Sequence, residues 1–118
     1  MGEFAIRRWG PAGGIGLVGD AGGDPRAPTV VLLHGGGQTR HAWGGTARAL
    51  AARGWYAVAA DLRGHGDSDW PPDANYELAA FARDLVCVAR ALGRPPVLVG
   101  ASLSGLAALL AQGEAEAM

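Results

Sequence analysis

The chain has 118 residues, of which 49% are apolar and 18% charged, and its net charge is -1 at neutral pH. That length and balance fit one globular domain and exclude a disordered segment. No basic footprint is left for nucleic acid or an anionic membrane surface.

Residues 1–10 lack the apolar stretch and small-residue cleavage site of a secretory leader. No run approaches the roughly 18–20 apolar residues of a membrane span, so a cytoplasmic location is expected. Phe4 to Arg8 reads as a first strand, and Ile15, Leu17 and Val18 as a weak second one. The stretch Gly14-Ile15-Gly16-Leu17-Val18-Gly19 matches the dinucleotide pattern G-x-G-x-x-G letter for letter. Its context is wrong for that role. No strong strand precedes it, and Asp20 to Pro28 cannot form the helix whose N-terminus would hold a pyrophosphate. A glycine-rich hairpin strand is the expectation instead.

Gly22-Gly23-Asp24-Pro25 is a turn cluster. Thr29-Val30-Val31-Leu32-Leu33 is a β-rich apolar run, with turn signals on both sides, of the kind buried in parallel sheets. His41 begins or precedes a helix near Trp43, and Gly54 stops a helix that ends near Arg53. Tyr56 to Ala60 is the next short strand, followed by a polar loop from Asp61 to Asp73. Leu78, Phe81, Ala82, Leu85, Val88, Ala89 and Leu92 recur at helical spacing, and Gly93 with Pro95 ends that helix. The single cysteine, Cys87, excludes an internal disulfide and a Cys-rich zinc site. Its place in an apolar helix predicts a core thiol. Pro96 to Gly100 is a further buried strand, and Leu103 to Ala111 a helix, with Gln112 to Met118 expected as a frayed end.

Strands alternating with helices predict an α/β fold, a mainly parallel sheet with helices packed on its faces. Chemistry in such folds gathers at the carboxyl ends of the strands. Three loops lie there. Gly100-Ala101-Ser102-Leu103-Ser104-Gly105 sets a serine between a strand and a helix, flanked by small residues. Alone, the hexapeptide fits a nucleophilic serine on a sharp turn or a serine capping an ordinary helix. His34-Gly35-Gly36-Gly37-Gln38 leaves backbone N–H groups unobstructed and favours the first reading. In the third loop, Asp61, Arg63 and His65 are expected to form a structural polar network. Asp67 and Asp69 are expected to be turn residues facing solvent.

Together, His34-Gly35-Gly36-Gly37, the loop Asp61-Leu62-Arg63-Gly64-His65-Gly66-Asp67-Ser68 and Gly100 to Gly105 resemble the α/β-hydrolase superfamily. The similarity runs from about residue 4 to 112 and points to its esterase, lipase and cofactor-free peroxidase-like branch. The resemblance implies that Ser102 is the nucleophile. It implies that the amides of Gly36 and Leu103 form the oxyanion hole, and that His34 is structural. It implies an acyl-enzyme reaction on a small ester or related carbonyl substrate, without cofactor or metal. Serine at the nucleophile position argues against dehalogenases and epoxide hydrolases, which use aspartate there. Ser104 departs from the usual glycine, so slight strain is expected where the helix meets the sheet.

Relatives place the acid and the histidine after the nucleophile. After Ser102 this sequence has only Glu114 and Glu116 as acids, and its histidines are His34, His41 and His65. The expectation is therefore that residues 1–118 are the N-terminal portion of a single α/β-hydrolase domain. The core would be truncated after the nucleophile-elbow helix, without the later strands, lid, acid loop and His loop. Val97 to Val99 would then be a bare apolar edge. The alternative is a non-catalytic fragment or a small α/β ligand-binding remnant. Oligomeric state is not encoded in any of these features.

Overall fold

The computed structural model describes residues 4–10 and 15–117, with side chains through residue 113. Its elements in order are β1 (Ala5–Trp9), β2 (Leu17–Gly22), β3 (Thr29–Leu33), a 3-10 turn (Arg40–Trp43), α1 (Gly44–Ala52), β4 (Tyr56–Ala60), α2 (Leu78–Ala91), β5 (Val97–Gly100) and α3 (Leu103–Ala117). The five strands form one sheet in the order β1-β2-β4-β3-β5. β4, β3 and β5 run parallel, whereas β1 and β2 form an antiparallel extension paired to β4 through β2.

β3 has no polar face to give to water, and it is buried along its whole length. Its side chains alternate between two layers, as the period of a strand requires. Val31 and Leu33, with Val58 and Ala60 of β4, pack against Phe81, Leu85 and Val88 of α2 and Ala107 and Ala111 of α3. Val30 and Leu32, with Ala57 and Ala59, pack against Ala47 and Ala51 of α1. Helices therefore cover both faces, with α1 on one side and α2 and α3 on the other.

Three expectations need correction. Cys87 is exposed. It lies with the exposed Arg83 and Arg90 at i, i+4 and i+7, on the face opposite the Phe81–Leu85–Val88 stripe. α3 continues to Ala117 instead of ending at Ala111, because Ala, Gln and Glu are strong helix formers that sustain it. Asp69 is tied down by Arg8, whose Nη1 donates to its Oδ1 at 3.0 Å, and by the Gly16 amide at 3.0 Å. The hairpin reading of the glycine-rich stretch agrees with β1 and β2, which pair from Ala5↔Ala21 to Trp9↔Leu17. Gly14 of that stretch lies outside the described residues.

Beyond β5 the described sheet has no further strand. A groove of about 950 Å³ opens there between α2 and α3, lined among others by Leu85, Val97, Leu98 and Leu109. Val97 is 51% exposed and Leu109 72% exposed. An open apolar edge of this kind templates association. Leu109→Lys is expected to lower the light-scattering mass of the 118-residue chain at high concentration. An unchanged mass would show that the groove is not the adhesive surface.

Candidate active site

β3 lies between β4 and β5, so the loops that follow these three strands meet at one end of the sheet. The turn after β5 is closed by packing that allows no side chain at Gly100. A Cβ there would sit 2.6 Å from the backbone of Ser104 and Gly105. Ser102 crosses the turn with φ +57°. This is left-handed backbone that costs a non-glycine residue roughly 1–3 kcal/mol unless its surroundings impose it. The side chain is exposed, and it stands at the N-terminal, positive end of α3.

Ser104 shows how the turn is imposed. Its hydroxyl is fully buried, lies 2.8 Å from Leu33 O and 3.1 Å from Ala101 O, and accepts the Ala101 amide at 2.8 Å. The departure from glycine thus ties the turn to the end of β3, where the sequence suggested strain.

The loop after β3 forms a turn from Gly35 to Gln38, with the Gln38 amide donating to Gly35 O at 3.1 Å. Gly37 has φ +79°, the value a type II turn demands at its third position. Its amide donates to His65 Nε2 at 3.1 Å, and the Gly35 amide donates to Gln38 Oε1 at 3.0 Å. The Gly36 amide between them has no partner among the described residues. A Cβ on Gly36 would lie 3.7 Å from Leu103 Cδ2. The fold therefore brings Gly36, Ser102 and Leu103 to neighbouring positions. The Leu103 amide belongs to the first turn of α3, where backbone donors have no intrahelical acceptor.

Asp61, Arg63 and His65 do not bond as one network. Asp61 is fully buried and pairs with Arg40, whose Nη1 also reaches Asp67 Oδ2 at 2.9 Å while its Nε reaches Asp20 Oδ2 at 3.0 Å. Arg63 forms a fork with Asp84 of α2, both bonds at 2.7 Å. His65 bonds backbone groups. Each of the three is held by a partner from another part of the chain, which no local spacing announces. Asp67 is exposed at 67%, as expected for a turn residue.

His34 is fully buried. Its Nδ1 lies 2.8 Å from Gly35 O, and its Nε2 accepts the Leu62 amide at 3.0 Å. Burial pushes its pKa below the ordinary imidazole value, and neighbouring His65 adds to this against the Gly35 carbonyl and Asp61. Burial also works against the charge of Asp61, but the Arg40 and Asp67 amides and the Arg40 guanidinium outweigh it and hold the carboxyl low. Below about pH 6.5 the unfolded chain takes up a proton at His34 that the folded chain refuses, so stability falls with pH until the folded ring protonates. Asp61 extends the loss below about pH 4. The urea midpoint is expected to drop between pH 7.5 and pH 5, and a flat profile would contradict this account of His34.

The family model described as the alpha/beta hydrolase fold matches residues 28–115. The chain belongs to the α/β-hydrolase fold family. Over 84 residues it is 42% identical to an esterase of Mycobacterium tuberculosis, covering 70% of this chain and 27% of the esterase. It is 40% identical over 90 residues to an sn-1-specific diacylglycerol lipase of Mus musculus, covering 75% of this chain and 29% of the lipase. The crystal structure of an epoxide hydrolase from Vigna radiata superposes with a TM-score of 0.83 at 30% identity, over 92% of this chain and 35% of that one. The chain thus spans about a third or less of the length of these relatives. No described helix of this α/β-hydrolase chain is long and apolar enough to cross a membrane.

Sequence reasoning missed Arg40 and Gln38, which hold two of the three loops. Arg40 bonds partners 20, 21 and 27 residues away. The only available signal was an excess of carboxylates in the Asp61 loop, with Asp61, Asp67, Asp69 and Asp73 set against Arg63 alone.

Proposed function

We propose that the chain is the nucleophile-bearing part of a serine hydrolase that cleaves a small-molecule ester or related carbonyl compound through an acyl-enzyme at Ser102. The observation that carries this is the strained backbone of Ser102, φ +57°, at the positive end of α3 and beside the unengaged Gly36 amide. Ester-directed relatives, an esterase and a diacylglycerol lipase, support the substrate class. Serine at this turn favours an acyl-enzyme over the epoxide chemistry named for the structural neighbour.

In this reading Ser102 Oγ attacks the carbonyl carbon and its proton passes to a base. The carbonyl oxygen becomes an oxyanion that accepts the Gly36 and Leu103 N–H groups. Collapse expels the alcohol, which takes up the proton, and water then releases the acid. No step calls for a metal or cofactor, and neither nucleic acid nor a membrane enters as a partner.

The Ser102 hydroxyl has no hydrogen-bond partner among the described residues, and both His34 and His65 spend Nε2 on backbone amides. We propose that the base and acid lie outside the described residues and that these 118 form the N-terminal portion of one domain. A fluorophosphonate added to the whole protein is expected to modify Ser102, read by peptide mass. An adduct elsewhere, with Ser102 untouched in the folded protein, would refute the assignment. The 118 residues alone are expected to turn over a p-nitrophenyl acyl ester negligibly. Robust turnover by them, lost in Ser102→Ala, would show a local base and overturn the incomplete-site reading.

A further inference from the structure

The turn that presents the Gly36 amide is held by two imidazoles, His34 at Gly35 O and His65 at the Gly37 amide. His65 Nδ1 lies 2.9 Å from Arg63 O. A carbonyl oxygen only accepts, so Nδ1 carries the ring proton and Nε2 keeps its lone pair for the Gly37 amide. His34 is in the same tautomer for the same reason, with Nδ1–H donating to Gly35 O. Gly35 O is thus held by His34 and by the Gln38 amide. In a trans peptide the N–H points opposite the C=O, so this fixes the direction of the Gly36 N–H. The next peptide is fixed by the Gly37–His65 bond. No other atom lies within 4 Å of the site a Gly37 Cβ would occupy, so packing does not hold this residue.

We propose that His65 is a positioning residue: its neutral ring anchors the Gly37 amide and keeps the Gly35–Gln38 turn shaped to present the Gly36 N–H, and protonation of His65 releases that turn. A protonated ring would set N–H against N–H and leave the Gly37 amide without an acceptor. His65 is half-buried, so solvent protons reach it. The groups around it leave this bond as the one that responds. The His34 ring faces it from the end of β3 with centroids 5.1 Å apart. Asp61 and Asp67 of its own loop are committed to Arg40 from the 3-10 turn. No carboxylate bonds His65 among the described residues. The functional side of the inference rests on Gly36 acting as an oxyanion donor.

The test is a nitrogen-15 NMR titration of the whole protein, carried from alkaline to acid pH until the His65 ring has protonated. While the ring is neutral, His65 Nε2 is expected at the shift of an unprotonated ring nitrogen that accepts the Gly37 amide. The Gly36 and Gly37 amide signals are then expected to move with the same midpoint as the His65 ring. His65→Gln, which offers an acceptor that does not titrate, is expected to abolish that movement. Amides that ignore the His65 midpoint, or that move identically in His65→Gln, would overturn the clamp. In the whole protein, the ratio of fluorophosphonate labelling rates at Ser102, wild type over His65→Gln, is expected to fall about tenfold as the His65 ring protonates, a part of what a lost oxyanion donor costs. A constant ratio with amides that do titrate would refute the functional role of the clamp. Absence of any Ser102 adduct with titrating amides would instead refute the serine mechanism and leave the clamp standing.

Discussion

Ser102→Ala is expected to lower kcat of the whole protein on an ester by about 10⁶-fold, the loss seen when one member of a nucleophile–base unit is deleted. About 10³–10⁴ over water should remain, supplied by substrate binding and the oxyanion donors. Two effects separate at this position. In the proposed mechanism the hydroxyl serves chemistry, whereas the backbone at φ +57° is a cost carried by any residue with a Cβ. Ser102→Gly should therefore be as inactive as Ser102→Ala, yet unfold later in urea by about 1 kcal/mol relative to it, since glycine adopts this region freely. Equal stability of the two variants would mean that the turn is relaxed. Retained turnover in either would remove Ser102 from the mechanism.

Arg40→Met is expected to destabilise the chain by about 3–5 kcal/mol, the usual consequence of leaving a buried carboxylate without its cation. Asp61 is 0% exposed and Arg40 4% exposed. The guanidinium joins β2, the 3-10 turn and the loop after β4 through Asp20, Asp61 and Asp67. Without it, Asp61 would still accept the amides of Arg40 and Asp67, at 2.7 and 3.0 Å. Those dipoles do not neutralise a full charge away from water. The loss is a large fraction of the roughly 5–15 kcal/mol that holds an ordinary domain together. Asp67→Asn is the control. That side chain is 67% exposed, so its removal should cost about 1 kcal/mol or less. Urea midpoints with unchanged slopes would measure both. An Arg40→Met variant within about 1 kcal/mol of wild type would show that water reaches Asp61.

Local features of the sequence located most elements. β3 was legible because every residue from Thr29 to Leu33 is buried and apolar or β-branched. α2 was legible because its apolar residues keep helical spacing over three turns. β1 was displaced by one residue, running Ala5–Trp9 instead of Phe4–Arg8. Pairing with β2 decides that boundary: Trp9 stands opposite Leu17 and its side chain is buried. The exposure of Cys87 follows from its angle on α2, which residue type alone does not give. The three loops were legible as motifs, since glycines and a serine at the strand ends leave a local trace.

The sequence by itself determined where the chain turns and which residues stand at the strand ends. Gly100 is required by an approach only glycine permits, Gly37 by its positive φ, and the period of apolar residues divides strands from helices. These are constraints between near neighbours, so they can be read along the chain. Only the tertiary structure decided the strand order that sets β3 between β4 and β5. It also decided which cation neutralises Asp61, that Ser104 fastens the turn to Leu33, and that His65 reaches Gly37 across 28 residues. Ionic and hydrogen bonds across such separations depend on the packing of the whole sheet, and no spacing in the sequence specifies them.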